Sequence, residues 1–240
     1  MIELAIARSD LLDEATFRLL RARVPAERRR KGDRYHRLKD RYASVVSFSL
    51  LQHLWRTGGG GPMPEIVLGR RGKPAFAPPR ARHFNWSHDA WVCVCATAPA
   101  PVGVDVQSRV PYDEGLFERM AAPSERVLRD RLLRSDDLSA LWTRKEAVVK
   151  RTGWGLSTPL RHVDTLAARD VLTFSCAEPD FRMSLTVEGL DEQDLLAALR
   201  VRFVQPGPAP GEWTDAPGPA PLHRLPRSLA APAAALLGAA

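Results

Sequence analysis

The sequence contains no apolar run of membrane-spanning length, few aromatic residues and three cysteines in 240 positions. A bilayer-crossing helix needs about 20 consecutive apolar residues, so no membrane role is expected. The start, Met1-Ile2-Glu3-Leu4, has no basic segment leading into an apolar one. No secretory leader is therefore read there, and a cytoplasmic protein is expected. The cysteines are odd in number, and Cys93 and Cys95 alternate within an apolar run. That disfavours a disulfide framework or a zinc site and points to buried, reduced thiols. Gly58 to Gly61 lack a following Lys-Ser/Thr, so they form no phosphate loop and read as a flexible connection. No nucleophile elbow is present, and the consecutive residues Ser87-His88-Asp89 cannot converge as a hydrolase triad. Aromatic and basic residues do not interleave as a base-stacking surface would require, so nucleic acid is not expected as a partner.

What is present is a charge of +7, with arginine far exceeding lysine. An anionic partner is plausible, and charge alone does not choose among nucleic acid, phosphorylated small molecules and acidic proteins. Ile2, Leu4 and Ile6 alternate as in a half-buried strand. Asp10 can cap a helix over 11–23, and a basic cluster, Arg28-Arg29-Arg30-Lys31, leads into a long helix reaching Trp55. Short extended segments flank Gly69 to Pro74. Strand-like runs at His83 to Trp86 and Trp91 to Thr97 are separated by the polar Ser87-His88-Asp89. Val102 to Gln107 reads as another strand, and 112–134 as helix interrupted at Pro123. Extended runs follow near 171–176, 183–187 and 199–204. From Pro206 onward Pro, Gly and Ala dominate, and an unstructured tail is expected.

The stretch carrying most information is Leu141-Trp142-Thr143-Arg144-Lys145-Glu146-Ala147-Val148-Val149-Lys150-Arg151-Thr152-Gly153-Trp154-Gly155-Leu156. Good helix formers end at two glycines, and Glu146 and Lys150 share a helix face. On their own these two would be a surface ion pair of little worth. On a strand, Asp105 and Gln107 leave from the same side. With Glu146 they offer hard oxygen ligands of the kind Mg²⁺ selects, although a lone Asp-x-Gln is a weak signal.

The helical stretch resembles the W-x-x-K-E-A-x-x-K-x-x-G-x-G-L signature of Sfp-type 4′-phosphopantetheinyl transferases. Val102-Gly103-Val104-Asp105-Val106-Gln107 resembles that family's G-[IV]-D-[IV]-E motif, with Gln in place of the final Glu. Phe84-Asn85-Trp86-Ser87-His88 is similar to its F-N-x-S-H, and Gly72-Lys73-Pro74 to its G-K-P. The resemblance implies an α+β fold of two similar, pseudo-dimeric halves with the active site between them. The halves would be 1–103 and 104–205, followed by the tail, 206–240. It implies transfer of 4′-phosphopantetheine from coenzyme A to a serine of an acyl or peptidyl carrier protein, with Mg²⁺, releasing adenosine 3′,5′-bisphosphate. Asp105, Gln107 and Glu146 would hold the metal. Glu125 would accept the serine proton, and Lys150 would stabilise the departing phosphate, with Lys145 a weaker candidate. Arg28, Lys31 and Ser44 would bind the 3′-phosphate, while Lys73, Ser87 and His88 would line the coenzyme site. A monomer is expected, and the carrier's pathway (fatty acid, polyketide or nonribosomal peptide) stays open. Without the resemblance, Arg28 to Lys31 is a solvated turn or a nucleic-acid patch, and Glu125 a routine first-turn carboxylate. Two rival classes fit less: a basic RNA-binding module leaves the carboxylates unused, and a metal-dependent nucleotide hydrolase leaves Ser87-His88 and Gly72-Lys73-Pro74 idle.

Overall fold

The first strand, β1 (Ile2–Arg8), sends Ile2, Leu4 and Ile6 into one apolar cluster and Ala5 and Ala7 into another. It is thus covered on both faces rather than half-buried. Glu3, on the alanine side, is 1 % exposed and lies near Arg82 (3.3 Å) and Arg202 (3.9 Å). The computed structural model describes residues 1–69, 71–79, 82–155, 158–209, 211–218, 220–229 and 235–237.

After β1 come a 3-10 turn (Ser9–Leu11) and α1 (Glu14–Arg23). Asp13, rather than Asp10, caps α1, accepting the Thr16 N–H at 2.7 Å. The basic cluster forms its own helix, α2 (Ala26–Asp33), before α3 (Leu38–Thr57). A hairpin, β2 (Ile66–Leu68) and β3 (Pro74–Phe76), leads to β4 (His83–Asp89), β5 (Val92–Ala98) and β6 (Val102–Ser108). Ser87, His88 and Asp89 therefore continue a strand and do not form the turn. Their register with Cys93 and Val92 is unbroken, and the reversal falls at Ala90-Trp91. Next are α4 (Glu114–Met120), a 3-10 turn (Pro123–Leu128), α5 (Arg129–Ser135) and α6 (Ser139–Thr152). The chain closes with β7 (Val171–Ala177), β8 (Asp180–Val187), α7 (Glu192–Ala198), β9 (Leu199–Pro206), β10 (Trp213–Ala216), β11 (Leu222–Leu225) and β12 (Ala235–Leu237).

The architecture is α+β, with two five-stranded sheets ordered β10-β9-β1-β5-β4 and β12-β11-β7-β8-β6. Their facing sides share one core: Ile2, Leu4 and Ile6 meet Val94 and Ala96 of β5, Val104 and Val106 of β6, and Met183 and Leu185 of β8. The other side of the first sheet is covered by α3, through Val45, Val46, Leu50 and Leu54 with Cys93 and Cys95. All three cysteines are free and buried. Among the described residues no helix is long and apolar enough to cross a membrane.

Two features depart from the sequence reading. A cut at Gly103 does not separate the sheets, because β9 returns to pair parallel with β1. The tail from Pro206 is also partly structured: β10 pairs with β9 and β11 with β7. Sparse apolar anchors explain this. Trp213 is buried and donates its indole N–H to Ser49 Oγ at 2.6 Å, and Leu222 is buried in the inter-sheet core. Residues 230–234 and 238–240 of the expected tail lie outside the described residues, as does Leu156 at the end of the signature.

Candidate active site

Alternation along β6 sends Val102, Val104 and Val106 into the core and turns Gly103, Asp105 and Gln107 toward α6. Gly103 is where the helix presses closest. A Cβ there would fall inside the Ala147 carbonyl oxygen and 2.5 Å from the Arg151 nitrogen. Only glycine permits this approach, which brings Glu146 and Lys150 over Asp105. At the far end, Gly153 (φ +73°) terminates the helix, its N–H bonded to Val149 O at 3.0 Å.

Asp105 is buried. Its Oδ1 accepts Ser87 Oγ–H at 2.7 Å and Lys150 Nζ–H at 2.5 Å, and Lys150 also reaches Ser87 Oγ at 2.8 Å. Asp105 Oδ2 is equally buried yet has no hydrogen-bond partner. Burial pushes the Asp105 carboxyl above its ordinary range, Lys150 and Ser87 draw it back, and the charge of Asp89 adds to the rise. The Glu146 carboxyl is raised as well, by burial and then by the charge of Asp105. Two carboxylates that repel each other, one with an orphaned oxygen, make a place for a cation. The donors are hard oxygens, so the set fits Mg²⁺. Among the described residues no three His, Cys, Asp or Glu side chains gather as a metal site.

Strand β4 meets β6 by side chains. Asn85 Oδ1 accepts the Val104 N–H at 2.9 Å, Ser87 bonds Asp105, and Asp89 Oδ2 accepts the Ser108 N–H at 2.7 Å. These three share one parity of the strand, while Phe84 and Trp86, of the other parity, pack with the α3 cluster. The imidazole of His88 is pushed below its usual range by burial and then by Lys150, with Arg28 also felt. Its second N–H donor is thus present only at lower pH than in a free histidine. The Arg28 guanidinium lies over the ring of Trp86 at 4.8 Å and donates to Ser44 O at 3.1 Å. Burial, followed by the charge of Arg28, lowers the Lys31 ammonium. A run of cationic groups thus leads from Lys31 and Arg28 past His88 to Lys150 and Asp105.

With that geometry in place, residues 101–198 match the family described as the 4′-phosphopantetheinyl transferase superfamily. Over that stretch the chain is similar to this family. It is 29 % identical over 144 residues to a 4′-phosphopantetheinyl transferase of Bacillus subtilis, covering 58 % of this chain and 64 % of the relative. Against 4′-phosphopantetheinyl transferase psf-1 of Bacillus pumilus it is 30 % identical over 141 residues, covering 56 % and 60 %. Against 4′-phosphopantetheinyl transferase AcpT of Escherichia coli K12 it is 34 % identical over 98 residues, covering 38 % and 50 %. The matches to the first two thus span less than two thirds of those relatives' length.

Of the family positions expected in the site, Ser87, Asp105, Glu146 and Lys150 come together, with His88, Arg28 and Lys31 adjoining. Ser44 is near Arg28, but its hydroxyl is buried without a partner, 3.8 Å from where a side chain on Gly32 would begin. A ligand would reach it only if α2 moved. Lys73 donates to Val102 O at 3.0 Å and Arg151 O at 2.8 Å. It thereby caps the C-terminal end of α6, and burial, then Arg151, brings its ammonium down to about 8. A cavity of about 340 Å³ beside it is lined by Arg71, His83, Arg151 and Gly153. Gln107 lies opposite Arg182 of β8, whose guanidinium is taken by Asp137 (2.8 Å) and Asp180 (2.5 Å).

Glu125 and Lys145 are placed otherwise than expected. Both side chains are 0 % exposed and pair with each other at 2.5 Å. Glu125 Oε1 accepts Thr165 N–H (2.8 Å) and Thr165 Oγ1–H (2.7 Å), and Oε2 accepts Ala122 N–H (2.7 Å). Lys145 also donates to Leu160 O (3.1 Å) and Val163 O (2.5 Å). In this arrangement both groups are engaged by partners within the protein. Together they fasten the 160–165 loop to α6. Sequence reasoning missed Asn85, Asp89 and Arg144. The first two share the strand parity of Ser87, a signal that shows only when the strand His83–Asp89 is taken as continuous. Arg144, buried, donates to Thr173 Oγ1 (2.9 Å) and to the tail carbonyl of Arg227 (2.6 Å). Burial lowers its guanidinium to about 10.

Proposed function

We propose that this protein transfers the 4′-phosphopantetheine of coenzyme A to a serine of a carrier protein, in the cleft where β4 of one sheet meets β6 of the other. The observation that carries the proposal is the meeting of Ser87, Asp105 and Lys150, with Glu146 above them and Asp105 Oδ2 unpartnered. The reaction forms a bond from the serine oxygen to the β-phosphorus and breaks the bond from that phosphorus to the oxygen bridging to the α-phosphate. Adenosine 3′,5′-bisphosphate departs. Asp105, Glu146 and, less directly, Gln107 would hold Mg²⁺, which when bound supplies charge neutralisation at the pyrophosphate oxygens. Lys150 bears a positive charge beside the same atoms, and Ser87 orients both it and Asp105. Catalysis of phosphoryl transfer is mainly positioning and charge stabilisation, and with the Glu125 oxygens engaged by Lys145, Thr165 and Ala122, water takes the serine proton. The α2 cations and His88 lie where the 3′-phosphate would sit if the coenzyme follows the cationic run. The test is release of the bisphosphate from coenzyme A. It is expected only when apo carrier and Mg²⁺ are both present; release without carrier would favour a nucleotide hydrolase.

The 3′-phosphate reading is checked with dephospho-coenzyme A. Lys31 is exposed and Arg28 is packed against Trp86, so Lys31→Ala is the cleaner variant. A charge-assisted hydrogen bond is worth about 1.5–3 kcal/mol, and exposure favours the lower end. Lys31→Ala should lose about tenfold in kcat/KM with coenzyme A and little with the dephospho form. Equal loss with both substrates would remove Lys31 from that role.

Carrier docking is placed on exposed residues of the 123–135 segment. Phe117 and Met120 are core residues of the cluster formed by α4, α5 and α6, so Phe117→Ala should lower the melting temperature. The large apolar residues left in solvent here are Val127 (77 % exposed) and Leu133 (53 %), with Arg126, Arg129 and Arg134 close in sequence, the first two paired with Glu118 and Glu114. An acidic carrier suits that surface. Val127→Glu should raise the carrier KM several-fold, with coenzyme KM and melting temperature unchanged. An unaltered carrier KM would place docking elsewhere.

A further inference from the structure

Gln107 leaves the metal-facing side of β6 one carboxylate short of the motif it resembles. Asp89, the last residue of β4, stands against that end of the strand. Its Oδ2 accepts the N–H of Ser108, the peptide that follows Gln107, at 2.7 Å. At the other end Asn85 Oδ1 accepts the N–H of Val104, the peptide before Asp105, at 2.9 Å. The two clamps bracket Asp105-Val106-Gln107, one on each side. Among the described residues no Lys, Arg or His forms an ion pair with Asp89, so its charge is not spent locally. It is near enough to be felt at Asp105.

We propose that Asp89 is a positioning residue that supplies, from the neighbouring sheet, the negative charge Gln107 does not. The inference rests on the reading of Asp105 and Glu146 as metal ligands. Asp89 is not itself a ligand. It holds the strand at Gln107 and raises the negative potential of the site, as outer partners of metal ligands commonly do. Arg182, opposite Gln107, does not cancel this, because Asp137 and Asp180 already pair with it.

The experiment is Mn²⁺ binding to the full chain, followed by electron paramagnetic resonance, with thermal denaturation alongside. Asp89→Asn removes the charge but keeps an oxygen able to accept the Ser108 N–H. Affinity should fall about tenfold, the low end for outer-shell partners, with the melting temperature held. Asp89→Ala loses the clamp as well and should also melt earlier. Adding Gln107→Glu to Asp89→Asn returns the carboxylate on β6 and should restore affinity to near wild type, a non-additive pair. Unchanged Mn²⁺ affinity in Asp89→Asn, or no rescue by Gln107→Glu, overturns the proposal. A wild type that binds no Mn²⁺ overturns it together with the metal reading. Weakened Mn²⁺ binding in a protein that transfers no phosphopantetheine overturns the transferase reading and leaves this inference standing.

Discussion

Glu125→Ala is expected to lower the melting temperature by about 10 °C. The variant leaves the Lys145 ammonium buried with no carboxylate, and breaking a buried pair from one side costs about 3–5 kcal/mol. It also strands the Thr165 and Ala122 donors that Glu125 now accepts. For a chain of this size each kcal/mol moves the midpoint by about 2–4 °C. The double variant Glu125→Leu/Lys145→Leu should recover part of the loss, since an apolar pair of similar volume leaves no uncompensated charge. Differential scanning calorimetry of the three proteins checks this. If Glu125 were the general base, Glu125→Gln would cut kcat sharply with an unchanged midpoint. Here the midpoint should fall, and the activity loss should track the unfolded fraction.

Asp105→Asn should do the reverse. Its melting temperature should stay within about 3 °C of wild type, because the amide oxygen still accepts from Ser87 and Lys150. The buried, partnerless Oδ2 contributes nothing to stability as it stands. Turnover should drop by at least about a thousandfold, since a carboxylate positioned for charge stabilisation of phosphoryl transfer is lost. A polar atom buried without a partner is a cost that a protein carries where function uses it. Glu125 and Asp105 are both buried acids beside a lysine, yet one is saturated with donors and the other is not.

That contrast was not legible in the sequence. Glu125 and Asp105 both matched family positions, and a motif match carries no information on which oxygens are already taken. Lys145 and Lys150 lie five residues apart on one helix, about 500° of rotation, so they face different surroundings. One meets the Leu160 and Val163 carbonyls, the other β6. What was legible had a local physical cause. Gly103 and Asp105 share one face of β6, and the helix ending at Gly153 carries Glu146 and Lys150 one turn apart. The strands at 171–176, 183–187 and 199–204 followed from their apolar runs. The α+β class followed from the mixture. What was not legible depended on distant partners. β4 runs on through Ser87-His88-Asp89 because β6 meets the side chains of Ser87 and Asp89. β10 and β11 form in a Pro- and Gly-rich segment because Trp213 and Leu222 find pockets, which composition does not show. The return of β9 to β1 is a matter of topology, invisible to pattern.

Intact-mass spectrometry of a purified apo carrier protein, incubated with this protein, coenzyme A and Mg²⁺, tests the central claim. Wild type should add one phosphopantetheinyl group to the carrier serine, and omission of Mg²⁺ or the Asp105→Asn change should leave the carrier apo. An unmodified carrier with folded wild-type protein, across acyl and peptidyl carriers, would contradict the account, as would full modification by Asp105→Asn.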